Sequence, residues 1–196
     1  MTANRIQQVA LAHFAEHGYD GASLAKIADD VGIKKPSIYA HYKSKEDLFL
    51  HVVQYVYNRE QQWIEAYFTE QNETRPSLEY QLKQLLYLYR QRYAQQLELK
   101  FLLRVSFFPP AVVQSEVMHR LYVYLDDLEQ KLMLRLQQAM ETGEVPPNAG
   151  VAASEAATAF MCILDALFVE MLYGEPERVS KKLEAAWPLY WRGLTN

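Results

Sequence analysis

Apolar residues recur along most of the chain at steps of three and four positions, the spacing of one face of an α-helix. The clearest run extends from about Val113 to Glu141, where apolar residues fall at 117, 121, 125, 128, 132, 136 and 139. Stretches in which apolar and polar residues alternate, as in a β-strand, are few. The pattern therefore predicts an all-α protein.

Turn-forming residues divide the N-terminal part into three helices. The first is predicted from about Asn4 to His17 and ends at Gly18. Ser23 is a suitable N-cap for a short second helix. Gly32 can adopt the positive φ of a tight turn after it, and Pro36 suits the first position of a third helix.

The rest of the chain predicts longer helices. Ser44 precedes Glu46 and Asp47, which favour the first turn of a fourth helix that reaches about Gln71. Further helices are predicted at about 78–93, 95–106, 113–141, 151–173 and from the Gly-Glu-Pro at 174–176 to about 194, with a bend at Pro188. We expect two parts, a helical N-terminal domain over residues 1–45 and a helical body over residues 46–196.

Positive charge is concentrated between the second and fourth helices. Residues 31–45 contain four lysines and no acid, whereas the whole chain has a formal net charge of −4. A compact basic segment with polar and aromatic side chains between its lysines suits a phosphate backbone. The segment therefore predicts contact with double-stranded DNA.

The spacing in this segment fits a helix-turn-helix, in which one helix braces a second that enters the major groove. Ala28 is small enough for the two helices to approach, and Ile33 and Ile38 fill the angle between them. Ser37 and Tyr39 then remain on the outer side, where they can hydrogen-bond phosphates or bases.

Residues 6–48 resemble the DNA-binding domain of the tetracycline-repressor (TetR) family. The resemblance rests on Phe14-x-x-x-Gly18, on Ser23-x-x-x-Ile27-Ala28-x-x-x-Gly32-Ile33, on Pro36-Ser37-Ile38-Tyr39-x-His41-Tyr42 and on Lys43-Ser44-Lys45-Glu46-x-Leu48. It implies about nine helices, three of them for DNA and the rest for a dimerising, ligand-binding body. It also implies a transcriptional repressor that small molecules release from its operator.

The resemblance assigns DNA contacts residue by residue. Its DNA-contacting positions correspond here to Ser23, Lys35, Pro36, Ser37, Tyr39, His41 and Lys45. Lys34 replaces the small polar residue usual at its position and could add a phosphate contact. Ala25 offers no side-chain donor where some relatives have a basic residue, which weakens the case for base contacts near the second helix.

A helix-turn-helix protein commonly binds two half-sites as a dimer. We expect a homodimer through the last two helices, about residues 151–194, in agreement with the resemblance. The helix at 151–173 has two apolar stripes, one at 156, 160, 163, 167 and 171 and one at 157, 161, 164, 168 and 172. One stripe could face the core and the other a partner; burial of both in a monomer is the alternative.

A small-molecule pocket is expected in the body, where aromatic residues and adaptable methionines are numerous. The candidate ligand-binding residues are Trp63, Tyr67, Tyr87, Phe101, Arg104, Phe107, Phe108, Met118, Tyr122, Met161 and Phe168. Arg104 could pair with an anionic ligand, and each of the others could equally be an ordinary core residue. Binding between the fourth and seventh helices would move the fourth helix and change the separation of the two recognition helices.

Other classes of function have little support. The five histidines are dispersed, and even the closest pair, His13 and His17, lacks the pattern of a zinc site, so we expect no metal, no cofactor and no enzyme activity. Cys162 is the single cysteine, which excludes a disulfide within the chain. The apolar stretch at 156–172 contains two acids and is expected to be a buried helix in a cytoplasmic protein that does not bind membranes.

Two alternatives to a ligand-released repressor stay open. One is a DNA-binding regulator that answers to a protein partner or to no ligand. The other is a helical enzyme or carrier that retains a vestigial N-terminal domain.

Overall fold

The computed structural model describes residues 2–74, 76–146 and 150–195, with the side chains of 71–74 left aside. These residues form α-helices joined by short turns and contain no β-strand. The prediction of an all-α protein is therefore confirmed.

The described residues form nine α-helices. They are α1 (Thr2–Gly21), α2 (Leu24–Val31), α3 (Lys35–Ile38), α4 (Lys45–Thr74), α5 (Leu78–Gln95), α6 (Leu97–Phe107), α7 (Gln114–Glu141), α8 (Ala153–Tyr173) and α9 (Pro176–Thr195). A 3₁₀ turn at Ala111–Val113 precedes α7. The bounds agree with the predicted ones to within a few residues, except that α1 runs past Gly18, where its backbone leaves the helical conformation.

Contacts divide the chain into two compact units. The first comprises Met1–Gln62 and Gln95–Val123, and the second comprises Trp63–Ala94 and Tyr124–Asn196. The first unit therefore contains α1 to α3 together with α6, a helix that the sequence assigned to the body. The expected division into a domain of residues 1–45 and a domain of residues 46–196 stays a prediction.

The core of the first unit joins α1, α4 and α6. The ring of Phe14 meets that of Phe49 edge-on, with 4.9 Å between centroids, and Phe49 lies 5.7 Å from Phe101. All three side chains are almost fully buried. Burial of a large aromatic side chain stabilises a fold by a few kcal/mol, so α6 is part of the support for α1.

In the second unit α8 packs against α9 and is buried on more sides than the sequence indicated. Eight of the ten residues of its two apolar stripes are buried within the single chain; Ile163 and Leu172 are intermediate. The expectation that one of these stripes is free for a partner is therefore wrong. Every face of α8 is largely apolar, so periodicity could not show which face stays uncovered.

A third stripe on α8 is exposed. It consists of Ala159, Cys162, Ala166, Val169 and Tyr173, again spaced by three and four positions. We call these five residues the α8 strip. By length and composition α8 could also cross a membrane, with a mean hydropathy of 1.7, but half of its most apolar window is buried inside the protein. Burial of this extent is what a core helix shows.

Candidate nucleic-acid interface

The turn between α2 and α3 is built by a cap at each end of α2. The Ser23 hydroxyl accepts a hydrogen bond from the backbone N–H of Ala25 at 3.3 Å, which satisfies a free donor at the start of the helix. Gly32 has φ 80° and ends the helix in the left-handed conformation. Side chains other than glycine are strained in that conformation, which is why a glycine occupies the turn. The prediction of Ser23 as the N-cap and of Gly32 as the turn residue is confirmed.

Residues after this turn form one exposed surface. Lys34, Lys35, Pro36, Ser37, Tyr39 and His41 are all exposed, and we call them the basic surface. Between them Ile38 is completely buried, half of Tyr39 is exposed, and α3 packs against α2. Helix α3 itself is a single turn, and Tyr39 to His41 continue it as a turn.

The segment is held from behind by Tyr42. Its side chain is buried, and its hydroxyl donates to the backbone carbonyl of Ala3 on α1 at 3.1 Å. Burial raises the pKa of the Tyr42 phenol, which keeps it a neutral donor. One packed isoleucine and one anchored tyrosine therefore present the basic surface as a rigid edge.

The start of α4 has its own cap. The Ser44 hydroxyl accepts from the backbone N–H of Asp47 at 3.1 Å, and an Asp47 carboxylate oxygen accepts from the N–H of Lys43 at 2.7 Å. Glu46 accepts a hydrogen bond from the Tyr19 hydroxyl at 2.7 Å. Hydrogen bonds from Ser44 and then Tyr19 lower the pKa of Glu46 to about 2.

Lys45 is turned toward α1. Its ammonium donates to the carbonyl of Asp20 at 3.3 Å and lies 4.5 Å from the centre of the Tyr19 ring. A lysine has three donors, so this arrangement leaves donors for a phosphate while limiting the movement of the side chain. The Ser23 hydroxyl is similarly engaged in capping α2, whereas the basic surface faces solvent.

The histidine pair considered as a metal site has another arrangement. His13 Nε2 lies 2.6 Å from a carboxylate oxygen of Asp30, which joins α1 to α2. The rings of His13 and His17 are 5.9 Å apart and tilted. Among the described residues no group of three or more metal-binding side chains occurs.

Six of the eleven ligand candidates lie in the first unit. Phe101 is core, Met118 is half-buried, and Phe107, Phe108 and Tyr122 are exposed. Arg104 donates to the backbone carbonyls of Ala15 and Glu16, at 3.2 and 3.3 Å. This geometry favours a structural role for Arg104 in place of the expected ligand contact.

The other five candidates lie in the second unit. Trp63 stacks on Tyr67 and meets Tyr89 edge-on at 5.2 Å, and Tyr89 in turn meets Phe168 at 5.2 Å. Met161 is buried. Tyr87 lines a cavity of about 450 Å³ in the same unit. The eleven candidates therefore do not line one common site, and of them Tyr87 lines this cavity.

Sequence reasoning missed several residues of these sites. Tyr19 holds both Glu46 and Lys45, but a tyrosine just after a helix break carries no sequence signal for that role. Arg90 and Tyr93 line the cavity with Tyr87, and their spacing along α5 could have revealed them.

Comparison with known proteins agrees with this geometry. Residues 6–52 match the family described as bacterial regulatory proteins, tetR family. The biofilm operon icaADBC HTH-type negative transcriptional regulator IcaR of Staphylococcus epidermidis is 40% identical over 55 residues, 28% of this chain and 30% of that protein. The HTH-type transcriptional repressor AcnR of Corynebacterium diphtheriae is 40% identical over 50 residues, 26% of each chain. The match thus spans less than a third of these curated relatives.

Solved structures resemble nearly the whole chain. SmeT, the repressor of the Stenotrophomonas maltophilia multidrug efflux pump SmeDEF, has a TM-score of 0.73 and 18% identity, covering 100% of this chain and 91% of that chain. The regulator FadR of Bacillus subtilis, solved with stearoyl-CoA, has a TM-score of 0.65 and 18% identity, covering 95% and 96%. At these identities the likeness shows the fold. The curated relatives are transcriptional regulators rather than enzymes, and over residues 6–52, which include α2 and α3, this chain is similar to the tetR family of bacterial regulatory proteins.

Proposed function

We propose that the chain is a dimeric, cytoplasmic DNA-binding repressor whose operator affinity is lowered by a small molecule. The observation that supports this most directly is the basic surface, a rigid run of exposed polar and charged side chains anchored by Ile38. A rigid edge of this kind suits the major groove, which is wide enough to admit a helix.

The side chains of the basic surface suit different contacts. Lys34 and Lys35 are exposed and supply charge for phosphates, which adds affinity for any sequence. Ser37 and Tyr39 carry hydroxyls that can hydrogen-bond base edges, and His41 lies at the end of the same turn. The side chains of Lys45 and Ser23 already hydrogen-bond within the protein, which limits their reach. We therefore assign them phosphate contacts beside the basic surface and no base contacts.

A homodimer would carry two copies of the basic surface, one for each half-site of an operator. The α8 strip supports α8 and α9 as the dimer interface, because its small residues Ala159, Cys162 and Ala166 allow close approach of another helix. On α9 the side chain of Leu189 is 70% exposed, and a second copy packed on this helix would cover it. A two-fold dimer would present recognition segments to half-sites about 34 Å apart.

Release by a ligand requires that the body be connected to the DNA-binding helices. Within the first unit α6 packs on α1, and Arg104 hydrogen-bonds the end of the straight part of α1. A ligand that shifted α6 or α4 would therefore bias the position of α1 and of the helices it braces. FadR of Bacillus subtilis, solved with stearoyl-CoA, is a precedent for a bound small molecule on this fold.

The test is a titration of purified protein with fluorescent duplex DNA over a series of salt concentrations. We expect binding that weakens linearly on a log–log plot as salt rises, with a slope that reports the number of phosphates contacted. Tight binding to a palindromic site and its loss on adding a small molecule would support the full proposal. Absence of any duplex binding at low ionic strength would favour the vestigial-domain alternative.

The regulator that answers to a protein partner remains the second candidate. It is supported by the exposed apolar residues Phe108 and Val112 between α6 and α7, 55% and 65% exposed. Operator binding that no small molecule changes, but that a protein partner changes, would select this alternative.

A further inference from the structure

The second unit contains a cavity between the C-terminal half of α5 and the turn joining α8 to α9. Its volume is about 450 Å³, within the range of roughly 300–1,000 Å³ found for small-molecule sites. It is distinct from the aromatic core around Tyr89, of which no residue belongs to the cavity lining. The cavity is therefore large enough to hold a ligand.

One wall of the cavity is polar and comes from α5. It is lined by Arg90, Tyr87, Tyr93 and Gln91, whose side chains carry a guanidinium, two phenol hydroxyls and an amide. Arg90 is half-buried, and no carboxylate of the described residues lies within ion-pair distance of it. A guanidinium is always charged and matches a carboxylate with two parallel hydrogen bonds, so Arg90 has the chemistry to bind an acid.

The lining residues contributed by α8 and α9 are apolar. Met171 and Val179 are 7% and 4% exposed and form the floor of the cavity, with Pro176 beside them. A flexible thioether such as that of Met171 adapts to ligands of different shape. An acid with an apolar body could thus place its head group on Arg90 and its body on this floor.

Charges near the cavity do not compete for Arg90. Glu170, on α8, is bound by Lys182 and by Arg178, whose Nε lies 3.1 Å from its carboxylate. Hydrogen bonds from Lys182 and then Arg178 lower the pKa of Glu170, so that it stays ionised and paired. Glu175 in the α8–α9 turn and Glu177 in the first turn of α9 are exposed and outside the lining.

We propose that this cavity binds a small amphipathic monocarboxylate, with Arg90 as the residue that recognises the acid. The acid-binding cavity would be the site of the ligand response proposed above. Only the effect of the acid on DNA binding rests on that proposed function. Binding itself can be measured without DNA.

The test uses isothermal titration of the full-length protein with phenylbutyrate and octanoate, and with their primary amides. The acids have the charge that Arg90 would recognise, and the amides keep the apolar body. We expect at least one acid to bind about tenfold more tightly than its amide, because a hydrogen bond to a charged group contributes more than a neutral one. Failure of both acids to bind, or equal affinity for acid and amide, overturns the proposal.

Three variants locate the site. Arg90→Gln should abolish the preference for the acid, and Arg192→Gln, the same change at an exposed arginine on α9, should preserve it. Ala94→Phe should fill the cavity and remove binding of both compounds, which keeps the test valid if Arg90→Gln unfolds. Equal effects of the two arginine changes, or undiminished binding by Ala94→Phe, contradict the proposed site.

Two further measurements distinguish a failure of the acid site from a failure of the proposed function. The methyl signal of Met171 in a methionine-labelled sample should shift on binding, and operator affinity is measured with and without saturating acid. A shift that depends on Arg90 together with unchanged operator affinity upholds the cavity as an acid site and contradicts ligand-released repression. No shift of Met171 overturns the cavity assignment, whatever happens to operator affinity.

Discussion

The guanidinium of Arg104 on α6 donates a hydrogen bond to the backbone carbonyl of Ala15 on α1, at 3.2 Å. It serves a second carbonyl, that of Glu16, at 3.3 Å. These carbonyls lie two and three residues before Gly18, where the backbone of α1 leaves the helical conformation with φ 70°. A cation at a helix C-terminus also interacts favourably with the helix dipole, so this contact links α6 to α1, the first helix of the proposed DNA-binding unit.

Replacing this arginine should loosen α1. We expect Arg104→Ala to lower the free energy of unfolding by about 1 kcal/mol, the usual net value of hydrogen bonds of this kind. That corresponds to a drop of roughly 2–4 °C in Tm for a protein of this size, measured by circular dichroism. Lys100→Ala, an exposed change on the same helix, is the control. Equal Tm values for the two variants would contradict the role given to Arg104.

The lysines and hydroxyls of the basic surface should contribute to DNA binding in different ways. Lys35→Ala is expected to weaken binding to all duplexes alike and to reduce the salt slope by about 1. Tyr39→Ala should cost about 1–3 kcal/mol on the operator and leave non-specific binding unchanged. Fluorescence anisotropy at several salt concentrations measures both, with Lys181→Ala on α9 as the control. Operator binding untouched by Tyr39→Ala would show that the recognition segment lies elsewhere.

The pair formed by Glu46 and Tyr19 predicts a loss of stability in acid. The pKa of Glu46 is about 2 in the folded protein, below its ordinary value of 4.5. Its contribution to stability is therefore complete above pH 4.5 and lost as the pH falls toward 2. Thermal unfolding of Glu46→Gln should differ most from that of the native protein above pH 4.5, and the two should converge toward pH 2. A difference that is constant over this range would contradict the assignment; Glu184→Gln is the exposed control.

The α8 strip predicts a specific way to separate the proposed dimer. Ala166→Glu adds a charge in the middle of the strip, where a partner helix would have to bury it at high cost. Light scattering after size exclusion should show a monomer, and operator affinity should fall because each chain then binds a single half-site. Val112→Glu, an exposed apolar position before α7, should leave the dimer intact. If the Ala166→Glu variant is still a dimer, the dimer interface does not include the α8 strip.

The sequence predicted the features that depend on local chemistry. Gly32 and Ser23 were identified because a left-handed turn and a helix cap each accept few residue types. The burial of Ile38 and Tyr42 followed from their spacing of one helical turn. These residues shape the segment that carries the basic surface, so its local geometry was predictable, while the DNA contacts of its side chains stay a prediction.

Features that depend on packing between distant segments were not predictable. The exposed face of α8 could not be identified from the sequence, because every face of this helix is largely apolar and packing in the fold decides which one stays exposed. The partners of Arg104 are backbone carbonyls, which leave no trace in residue identity. The cavity joins Arg90 with Val179, and nothing in a single sequence indicates that such distant positions meet.

The central claim is that the basic surface enters a DNA groove and selects a sequence. Selection of bound duplexes from a random pool by the purified full-length protein tests it most directly. We predict enrichment of an inverted repeat whose half-site centres are about 34 Å apart or a multiple of that, and its loss with Tyr39→Ala. A pool that stays random at low ionic strength would contradict the account.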